Sequence, residues 1–541
     1  MKTKSRGVLG HVFTVGAFTA LSRVLGLVRE MFQSRLIGAG MEQSAFTLAF
    51  AIPNMARKLF GEGALTAAFV PVFKGEVEAE SLEKAAKLAR AVMTMVLLML
   101  GAAVLLLMGG LETVVKFRSE LGLDGDDKRF LLTIRLVKTL LPYMIFICGA
   151  AFGMGVLNAL GRFKASSFMP CLLNVCWIGI LAWISFFPEM RLDQRIHRVA
   201  MAILVAGGLQ MAFMLWRMHA AGVTPRLSFS GWADAKVRLV WKNIGISAVG
   251  AGAIQINYML DQFLAQVASP WAAGVIGYAE RLMDLPLGVI GVAFGTVLLP
   301  TFAGLFAKND LDGAREALAG SVKSLMFVML PAAAGLLVLA PEITEVIYEG
   351  NAFDATATVR VSRALAVYAL GLGFFGLQKS LVPWFQAQND MKTPLRVSVS
   401  TVVLNAALNI VAVFTLPVEW RHVGLAASTV FCAAVGCVLL MRFARRKNGT
   451  LGLAGCRGPL AKMLAASALM AAALAFAKSL PAPSCLGADD SAPCRIIRLG
   501  ALVALGMAVY GACALLMMRD ALGTLRRRLS GRRGRTGGAA G

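Results

Sequence analysis

Charged residues are scarce in this sequence. Only 16% of the 541 residues are Asp, Glu, Lys or Arg, whereas soluble domains carry about 25%. Hydrophobic residues make up 58% of the chain, the mean hydropathy is +0.70, and many apolar runs are long enough to cross a bilayer. This composition excludes an ordinary soluble globular protein and predicts an all-α polytopic membrane protein.

Residues that carry catalysis or bind metals are also sparse. The sequence has no H-E-x-x-H motif, and the nine cysteines do not have the spacing of a metal site. The four histidines are scattered, at His11, His197, His219 and His422. We therefore expect no enzymatic activity, no bound metal and no other cofactor.

One acidic loop leaves an enzymatic alternative open. Asp124 and Asp126 have a spacing that would allow them to hold the metal of a membrane glycosyltransferase. A solvated acidic turn is much more common for such a pair. We favour the solvated turn and keep the glycosyltransferase as an alternative hypothesis.

Positive charge exceeds negative charge, with 54 Lys and Arg against 30 Asp and Glu, and the excess has a clear distribution. Fourteen candidate spans can be drawn. They include a first at 11–36, a broken second at 44–73, a fourth at 136–160, a seventh at 243–268 and an eighth at 274–306 with a break at Pro286. With the N-terminus in the cytoplasm, cytoplasmic loops hold 32 Lys and Arg and external loops hold 14. The excess, including the tail RRRLSGRRGR, is therefore expected to face anionic membrane lipids, with RNA binding as the less favoured alternative.

Several charges lie inside otherwise apolar sequence between residues 22 and 73. Each costs about 2.5–3.5 kcal/mol at the centre of a membrane helix, so such residues usually face a bundle interior or a water-filled cavity. They are Arg23, Arg29, Glu30, Arg35, Arg57, Lys58 and Glu62. The alternative for Arg23 and Arg35 is that their long side chains only reach the two membrane interfaces.

A second charged group lies in the eighth candidate span and a single lysine in the tenth. Glu280 and Asp284 are four residues apart and share a helix face, with Arg281 between them in sequence. Lys379 stands in the apolar run GLQKSLVPWF. An ion cluster at the interface is the alternative for the first group, and an interfacial lysine is the alternative for the second.

The sign of these embedded charges is informative. Cations outnumber anions among them, and arginine can hold a phosphate through two parallel hydrogen bonds. A cavity with this balance suits an anionic substrate, whereas an exporter of cationic drugs would need the opposite sign.

Four blocks of sequence resemble one known family. They are SRVLGLVREMFQSRLIGAG, AFAIPNMARKLFGEGALTAAFVPVF, YAERLMDLPLGVIGVAFGTVLLP and PWFQAQNDMKTP. They are similar to the MurJ (MviN) family of lipid II flippases, within the multidrug/oligosaccharidyl-lipid/polysaccharide exporter superfamily. The resemblance implies about fourteen transmembrane helices in two six-helix lobes, residues 1–220 and 221–445, followed by two further helices in 446–520 and a basic cytoplasmic tail, 521–541.

The resemblance also implies a function and its residues. The expected function is translocation of lipid II, the undecaprenyl-diphosphate-linked peptidoglycan precursor, across the bacterial inner membrane by alternating access. The substrate-binding positions of the family fall on Arg23, Arg29, Arg57 and Arg281. Glu30, Lys58, Glu62, Glu280, Asp284 and Lys379 are expected to serve as cavity or gating charges.

Other implications concern energy, partners and one departure from the family pattern. Membrane potential or an ion gradient would drive the cycle. Lipid II and membrane lipids are the expected partners, other cell-wall synthesis proteins are further candidates, and no nucleic acid is expected. Where the family often has Asp, this chain has Ser44, so any role of that carboxylate in closing the external side is open to question. An exporter of drugs or of another polysaccharide-lipid, and a scaffold without transport activity, stay as alternatives.

The charge count predicts that both termini are cytoplasmic. A single cysteine placed at Ser5 or at Ser530, in a variant that lacks the natural cysteines, should resist an impermeant thiol reagent in intact cells. Labelling of either cysteine before lysis would contradict the fourteen-span topology.

Cys485 and Cys494 share one polar loop that the charge count places outside, where disulfides persist. We expect these two thiols to pair, and two free thiols are the alternative. Mass spectrometry of the non-reduced protein should show the linked peptides. Alkylation of both thiols without a reductant would exclude the pair.

Overall fold

The fold is built from long helices. The computed structural model describes residues 2–59, 65–120, 128–229, 234–480 and 492–517. This part of the chain contains no β-strand, and its single isolated bridge joins Gly350 to Phe353. The predicted all-α membrane architecture is confirmed. Contacts divide the chain into two compact units, Met1–Val275 with Tyr348–Ala357, and Ile276–Ile347 with Thr358–Gly541.

The first unit contains the N-terminal helices. They are α1 (Lys2–Ile37), α2 (Met41–Ala56), α3 (Leu65–Ala79), α4 (Leu82–Glu120), α5 (Lys128–Leu140), α6 (Tyr143–Ala159), α7 (Phe163–Ile184), α8 (Leu192–His219) and α9 (Ala235–Ala268). Helix α1 packs along α7, α6 packs along α8, and α2 packs against α5. The core between these helices is rich in aromatic rings, with Trp177, Tyr143 and Phe152 almost fully buried.

Glycine brings α6 and α8 close together. A Cβ at Gly207 of α8 would lie 2.4 Å from a ring carbon of Tyr143, and one at Gly153 of α6 would lie 3.0 Å from Met214. Membrane helices associate by close packing of small residues, because lipid tails are as apolar as the side chains they would replace. These two glycines therefore set the separation of the helices around the core.

Pro53 and Pro142 lie inside or beside changes of helix geometry in the first unit. Pro53 lies inside α2, which passes into a π-helical turn over residues 57–59. The candidate span 136–160 is divided, because α5 ends at Leu140 and α6 begins at Tyr143, after Pro142. Proline lacks the backbone N–H that a continuous helix would use, so a turn at this position is expected.

The second unit contains the remaining helices. They are α10 (Ala272–Ala307, whose first turn belongs to the first unit), α11 (Leu311–Val338), α12 (Ala340–Tyr348), α13 (Ala355–Gln386), α14 (Lys392–Thr415), α15 (Val418–Asn448), α16 (Arg457–Ser479) and α17 (Ala492–Met517). Helix α14 packs along α15, and α16 packs against both α11 and α17. The Tyr510 hydroxyl of α17 donates to the Phe327 carbonyl of α11 at 2.9 Å, which ties the last helix to this group.

Ten helical segments of the described chain are long and apolar enough to cross a membrane. The other candidate spans, 11–36, 44–73, 243–268 and 274–306, coincide with α1, α2 with α3, α9 and α10. The count of fourteen stays a prediction, as do the lobe boundaries at 220 and 445.

The expected break at Pro286 is wrong. Helix α10 continues through both Pro286 and Pro300 from Ala272 to Ala307. A membrane helix tolerates proline when neighbouring groups or small backbone adjustments satisfy the freed carbonyl.

Candidate functional site

Arg29 is held by contacts from two helices. Its Nε and Nη2 donate to the carboxylate of Glu30, and its Nη1 donates to Asn174 Oδ1 at 3.0 Å. The guanidinium also lies over the ring of Trp177, 4.3 Å from the centroid. The side chains of Arg29 and Glu30 are only 13% and 8% exposed. One guanidinium thus has a carboxylate, an amide and an aromatic face as neighbours.

Helix α7 contributes Asn174 and Trp177 to the surroundings of Arg29. Asn174 and Trp177 are three residues apart and lie on one face of the helix, which packs along α1. The Asn174 amide also donates to the carbonyl of Ser22 at 3.0 Å. Ser22 lies seven residues before Arg29 on α1. Asn174 therefore bridges two turns of α1 and orients its amide oxygen towards Arg29.

A chain of buried amides extends this network to α2. The indole N–H of Trp177 donates to Gln33 Oε1 at 2.7 Å, and Gln33 Nε2 donates to Gln43 Oε1 at 2.9 Å. Both glutamines are at most 5% exposed. Buried polar groups are costly unless they are hydrogen-bonded, so these contacts fix the relative positions of α1, α2 and α7.

Arg57 and Lys58 lie in the π-helical turn that follows α2. Arg57 Nε donates to Asn54 Oδ1 at 3.0 Å, and the Lys58 ammonium lies 5.0 Å from the ring centroid of Tyr258 on α9. Both side chains are partly exposed. Single π-helical turns inside α-helices are frequent at functional sites, because they rotate side chains away from the regular helical positions.

Tyr143 connects the two arginine positions. Its hydroxyl lies within electrostatic range of both Arg57 and Arg29. The side chain is 1% exposed, so little water screens these charges. Arg29, Glu30, Arg57 and Lys58 of the predicted set thus all lie in the first unit.

Arg23 and Glu62 complete the predicted set of this region. Arg23 lies six residues before Arg29 on α1, and its side chain is exposed. Glu62 lies outside the described residues, as do Asp124, Asp126 and Cys485. The role of Glu62, the glycosyltransferase alternative and the predicted disulfide therefore stay predictions.

The second unit holds the other predicted charges. Tyr368 of α13 donates its hydroxyl hydrogen to Glu280 at 3.3 Å. Arg281 and Asp284 are exposed on α10, whereas Leu282 and Met283 on the opposite face are at most 8% exposed. An exposed arginine on a membrane helix is costly against acyl chains, so this face of α10 favours contact with water or a polar ligand.

Lys379 is exposed on α13 between two anchored neighbours. The Gln378 amide donates to the Ala433 carbonyl at 3.1 Å, and Ser380 is fully buried. The role of Lys379 as a cavity charge stays a prediction, with an interfacial lysine as the alternative.

Ser44, the departure from the family pattern, has a specific contact. Its hydroxyl accepts a hydrogen bond of 3.0 Å from the backbone N–H of Gly274 in the first turn of α10. Its carbonyl accepts from the side chain of Gln266 on α9. The first N–H groups of a helix have no partner within the helix, so Ser44 acts as a cap supplied by another helix.

A short segment distant in sequence completes the end of α1. The backbone N–H of Ala352 donates to the Arg35 carbonyl at 3.0 Å, and a Cβ at Gly38 would lie 2.1 Å from the Ala352 carbonyl oxygen. Gly38 has a φ of +80°, a conformation that favours glycine. Residues 348–357 therefore pack directly against the turn between α1 and α2.

Comparison with known proteins decides the family. The family model described as lipid II flippase MurJ matches residues 33–485. The chain belongs to the MurJ family of lipid II flippases. Arg23, Arg29 and Glu30 precede the matched range, but alignments with MurJ relatives cover nearly the whole chain.

Two relatives illustrate this coverage. A probable lipid II flippase MurJ of Rhizobium tropici is 32% identical over 520 residues, 96% of each chain. A probable lipid II flippase MurJ of Rhizobium meliloti strain 1021 is 33% identical over 532 residues, 95% of each chain. Relatives of this length align with both units.

Solved structures agree on the fold. A lipid II flippase MurJ in an inward closed conformation matches with a TM-score of 0.74 and 22% identity, covering 94% of this chain and 99% of the other. An inward-facing multidrug resistance MATE family transporter of the MOP superfamily matches with a TM-score of 0.66 and 16% identity, covering 80% of this chain and 95% of the other. The MurJ structure thus accounts for more of the chain than the MATE structure.

The Ser44 contact makes a prediction about stability. Ser44→Ala should lower the free energy of unfolding by about 0.5–2 kcal/mol, because the first turn of α10 loses its cap. Ser44→Asp should restore the lost stability, since a carboxylate also accepts the bond and is favoured near a helix N-terminus. Thermal unfolding of the purified protein measures both variants.

Ser34→Ala is the matched control for Ser44→Ala. Ser34 is equally buried, but its hydroxyl bonds within its own helix, to the Met31 carbonyl. A loss of stability for Ser34→Ala as large as that for Ser44→Ala would contradict the capping role.

Proposed function

We propose that this chain moves lipid II from the cytoplasmic to the external leaflet of the inner membrane, with both termini in the cytoplasm. The observation that carries the proposal is the MurJ family match over residues 33–485, supported by near-full-length relatives named for the same function. Transport breaks no bond, so the residues of the chain have to bind, shield and release a charged headgroup. Alternation between states open to either side provides the translocation.

The diphosphate of the substrate sets the main energetic demand. An ionised group that leaves water without a partner is very costly, and a guanidinium compensates a phosphate through charge and two directed hydrogen bonds. We assign headgroup binding to Arg23, Arg29, Arg57 and Arg281. Glu30, Lys58, Glu62, Glu280, Asp284 and Lys379 adjust the charge along the route.

Glu30 gives Arg29 a resident anion when no substrate is bound. The observed pair neutralises the guanidinium at its buried position. A diphosphate carries more charge than one carboxylate and can compete for the same donors, while Asn174 and Trp177 keep the guanidinium in place. Exchange of Glu30 for phosphate, and back again, would allow binding and release without leaving Arg29 uncompensated.

The same charges allow the membrane potential to act on the transport cycle. Moving one elementary charge across 100 mV is worth about 2.3 kcal/mol, so membrane potential can bias a cavity with excess positive charge. An ion gradient is the alternative source. The partners on this proposal are lipid II and the surrounding lipids, with other cell-wall synthesis proteins as candidates and no nucleic acid.

An exporter of drugs or of another polysaccharide-lipid is the second candidate function. The MATE-like fold match supports the architecture that such an exporter shares. The excess of embedded arginine and lysine argues against cationic drugs as substrates. A competition assay between lipid II and other lipid-linked saccharides would separate the remaining choices.

The Arg29 network predicts the behaviour of three variants. Arg29→Ala leaves Glu30 buried without its main partner, and breaking a buried pair in this way costs about 3–5 kcal/mol. Arg29→Ala with Glu30→Gln should therefore restore membrane abundance but not growth of a strain depleted of its own flippase. Arg29→Lys should support slower growth, since it keeps the charge but loses the bidentate donor pair.

Arg281→Ala removes an exposed charge, so the protein should stay abundant while growth fails. Arg191→Ala is the matched control, because Arg191 is also exposed and pairs with nearby Asp193. Abundance by immunoblot and growth by complementation are measured together. Normal growth of both the Arg29→Ala, Glu30→Gln double variant and Arg281→Ala would refute the role of these arginines in transport.

A further inference from the structure

The end of helix α15 carries a row of arginines that the transport proposal does not use. Arg442, Arg445 and Arg446 are exposed and are spaced so that they share one face of the helix. With Val438 and Met441 they line a pocket of about 440 Å³. The charge count places this end of α15 on the cytoplasmic side, where the leaflet is anionic.

The neighbouring residues hold this helix end in a fixed position. Asn448 accepts a hydrogen bond from the Trp384 indole at 3.2 Å, and its amide donates to Gln388 at 3.2 Å. The Asn448 carbonyl accepts from Arg315 at 2.8 Å. Lys447 forms an ion pair with Asp390 at 3.0 Å. Helix α15 therefore presents its arginines from a rigid support.

The arginine row lacks an acidic counterpart in the part of the chain that the structure describes. Within the described residues, no carboxylate lies within 4.0 Å of the guanidinium groups of Arg442, Arg445 or Arg446. Lys447 uses Asp390 as its own partner, so that carboxylate already has a cation. Like charges on one helix face repel each other, and a bound anion would remove this repulsion.

The face beneath the arginines is apolar. Val438 is 59% exposed, and Phe431, two turns further from the helix end on the same face, is 54% exposed. A ligand for this surface therefore needs an anionic group at one end and an aliphatic chain at the other. Arginine holds phosphate oxygens well, and an acyl chain fits along exposed Phe431 and Val438.

We propose that Arg442, Arg445 and Arg446 form a binding site for an anionic phospholipid of the cytoplasmic leaflet. The phosphate bridges the guanidinium groups, and one acyl chain follows the apolar face of α15. The site is independent of lipid II transport, because it lies at the end of a helix that carries none of the predicted substrate-binding residues.

Native mass spectrometry of the full-length protein tests the site with phosphatidylglycerol, cardiolipin, phosphatidylcholine and inorganic phosphate as probes. The triple variant R442Q/R445Q/R446Q should bind phosphatidylglycerol more than about tenfold more weakly than the parent protein. R442K/R445K/R446K should bind with intermediate affinity, since the charge remains but the paired donors of arginine are lost. Phosphatidylcholine and inorganic phosphate should bind the parent protein much more weakly than phosphatidylglycerol.

The matched control is K74Q/K84Q/K87Q, which removes three charges from the same predicted side. Each of these lysines has a glutamate partner, Glu78, Glu80 and Glu83 respectively. The control should keep the affinity of the parent protein. If the glutamine triple variant does not fold, R445Q alone replaces it and should still weaken binding measurably.

Three results would overturn the site. The first is equal phosphatidylglycerol affinity for the glutamine variants and the parent protein. The second is an equal loss of affinity in the lysine control, which would indicate a general charge effect. The third is competition by inorganic phosphate as effective as that by phosphatidylglycerol, which would indicate an anion site that does not select lipid.

Discussion

A charged side chain inside a membrane helix must be met by another protein group or by water, and the first unit is arranged around that requirement at Arg29. The guanidinium is surrounded by Glu30 on its own helix and by Asn174 and Trp177 on α7. Each of these partners is itself held, Asn174 by Ser22 and Trp177 by Gln33. The pairing of α1 with α7 therefore follows from the need to satisfy one arginine as much as from apolar packing.

This arrangement joins stability and function in the same residues. A guanidinium that is fixed by an amide and an aromatic ring can change its anionic partner without changing its position. The carboxylate of Glu30 is an anionic neighbour of this guanidinium, and a phosphate could take its place. Exchange between two anions keeps the buried charge compensated throughout, which a lone arginine in an apolar helix could not achieve.

The sequence predicted the membrane helices well and drew attention to the charges embedded in them, because both leave local signals. Long apolar runs indicated membrane helices, and Arg29 and Glu30 stood out against an apolar background. The partners of Arg29 on α7 were missed, since Asn174 and Trp177 are about 145 residues away and only α1–α7 packing brings them near. An Asn inside the apolar run CLLNVCWIGI was the available signal, because amides in membrane helices usually have a specific partner.

The sequence also did not predict the contacts that depend on backbone geometry. Ser44 was read only as a missing carboxylate, yet its hydroxyl occupies the capping position of α10. The packing of residues 348–357 against the end of α1 depends on the positive φ of Gly38. The sequence pattern around Gly38 does not show which distant segment will pack there. Pro286 indicated a break, but the surrounding helix tolerates the missing N–H.

The central claim is that this chain carries lipid II across the membrane, and the most direct measurement is the leaflet distribution of lipid II in cells. In cells depleted of this protein, lipid II should accumulate in the cytoplasmic leaflet and become inaccessible to an enzyme that cleaves it only from outside. Renewed expression of the chain should restore external cleavage within the time that the protein takes to reappear. Unchanged external accessibility after depletion, with synthesis of lipid II intact and no other flippase present, would contradict the account.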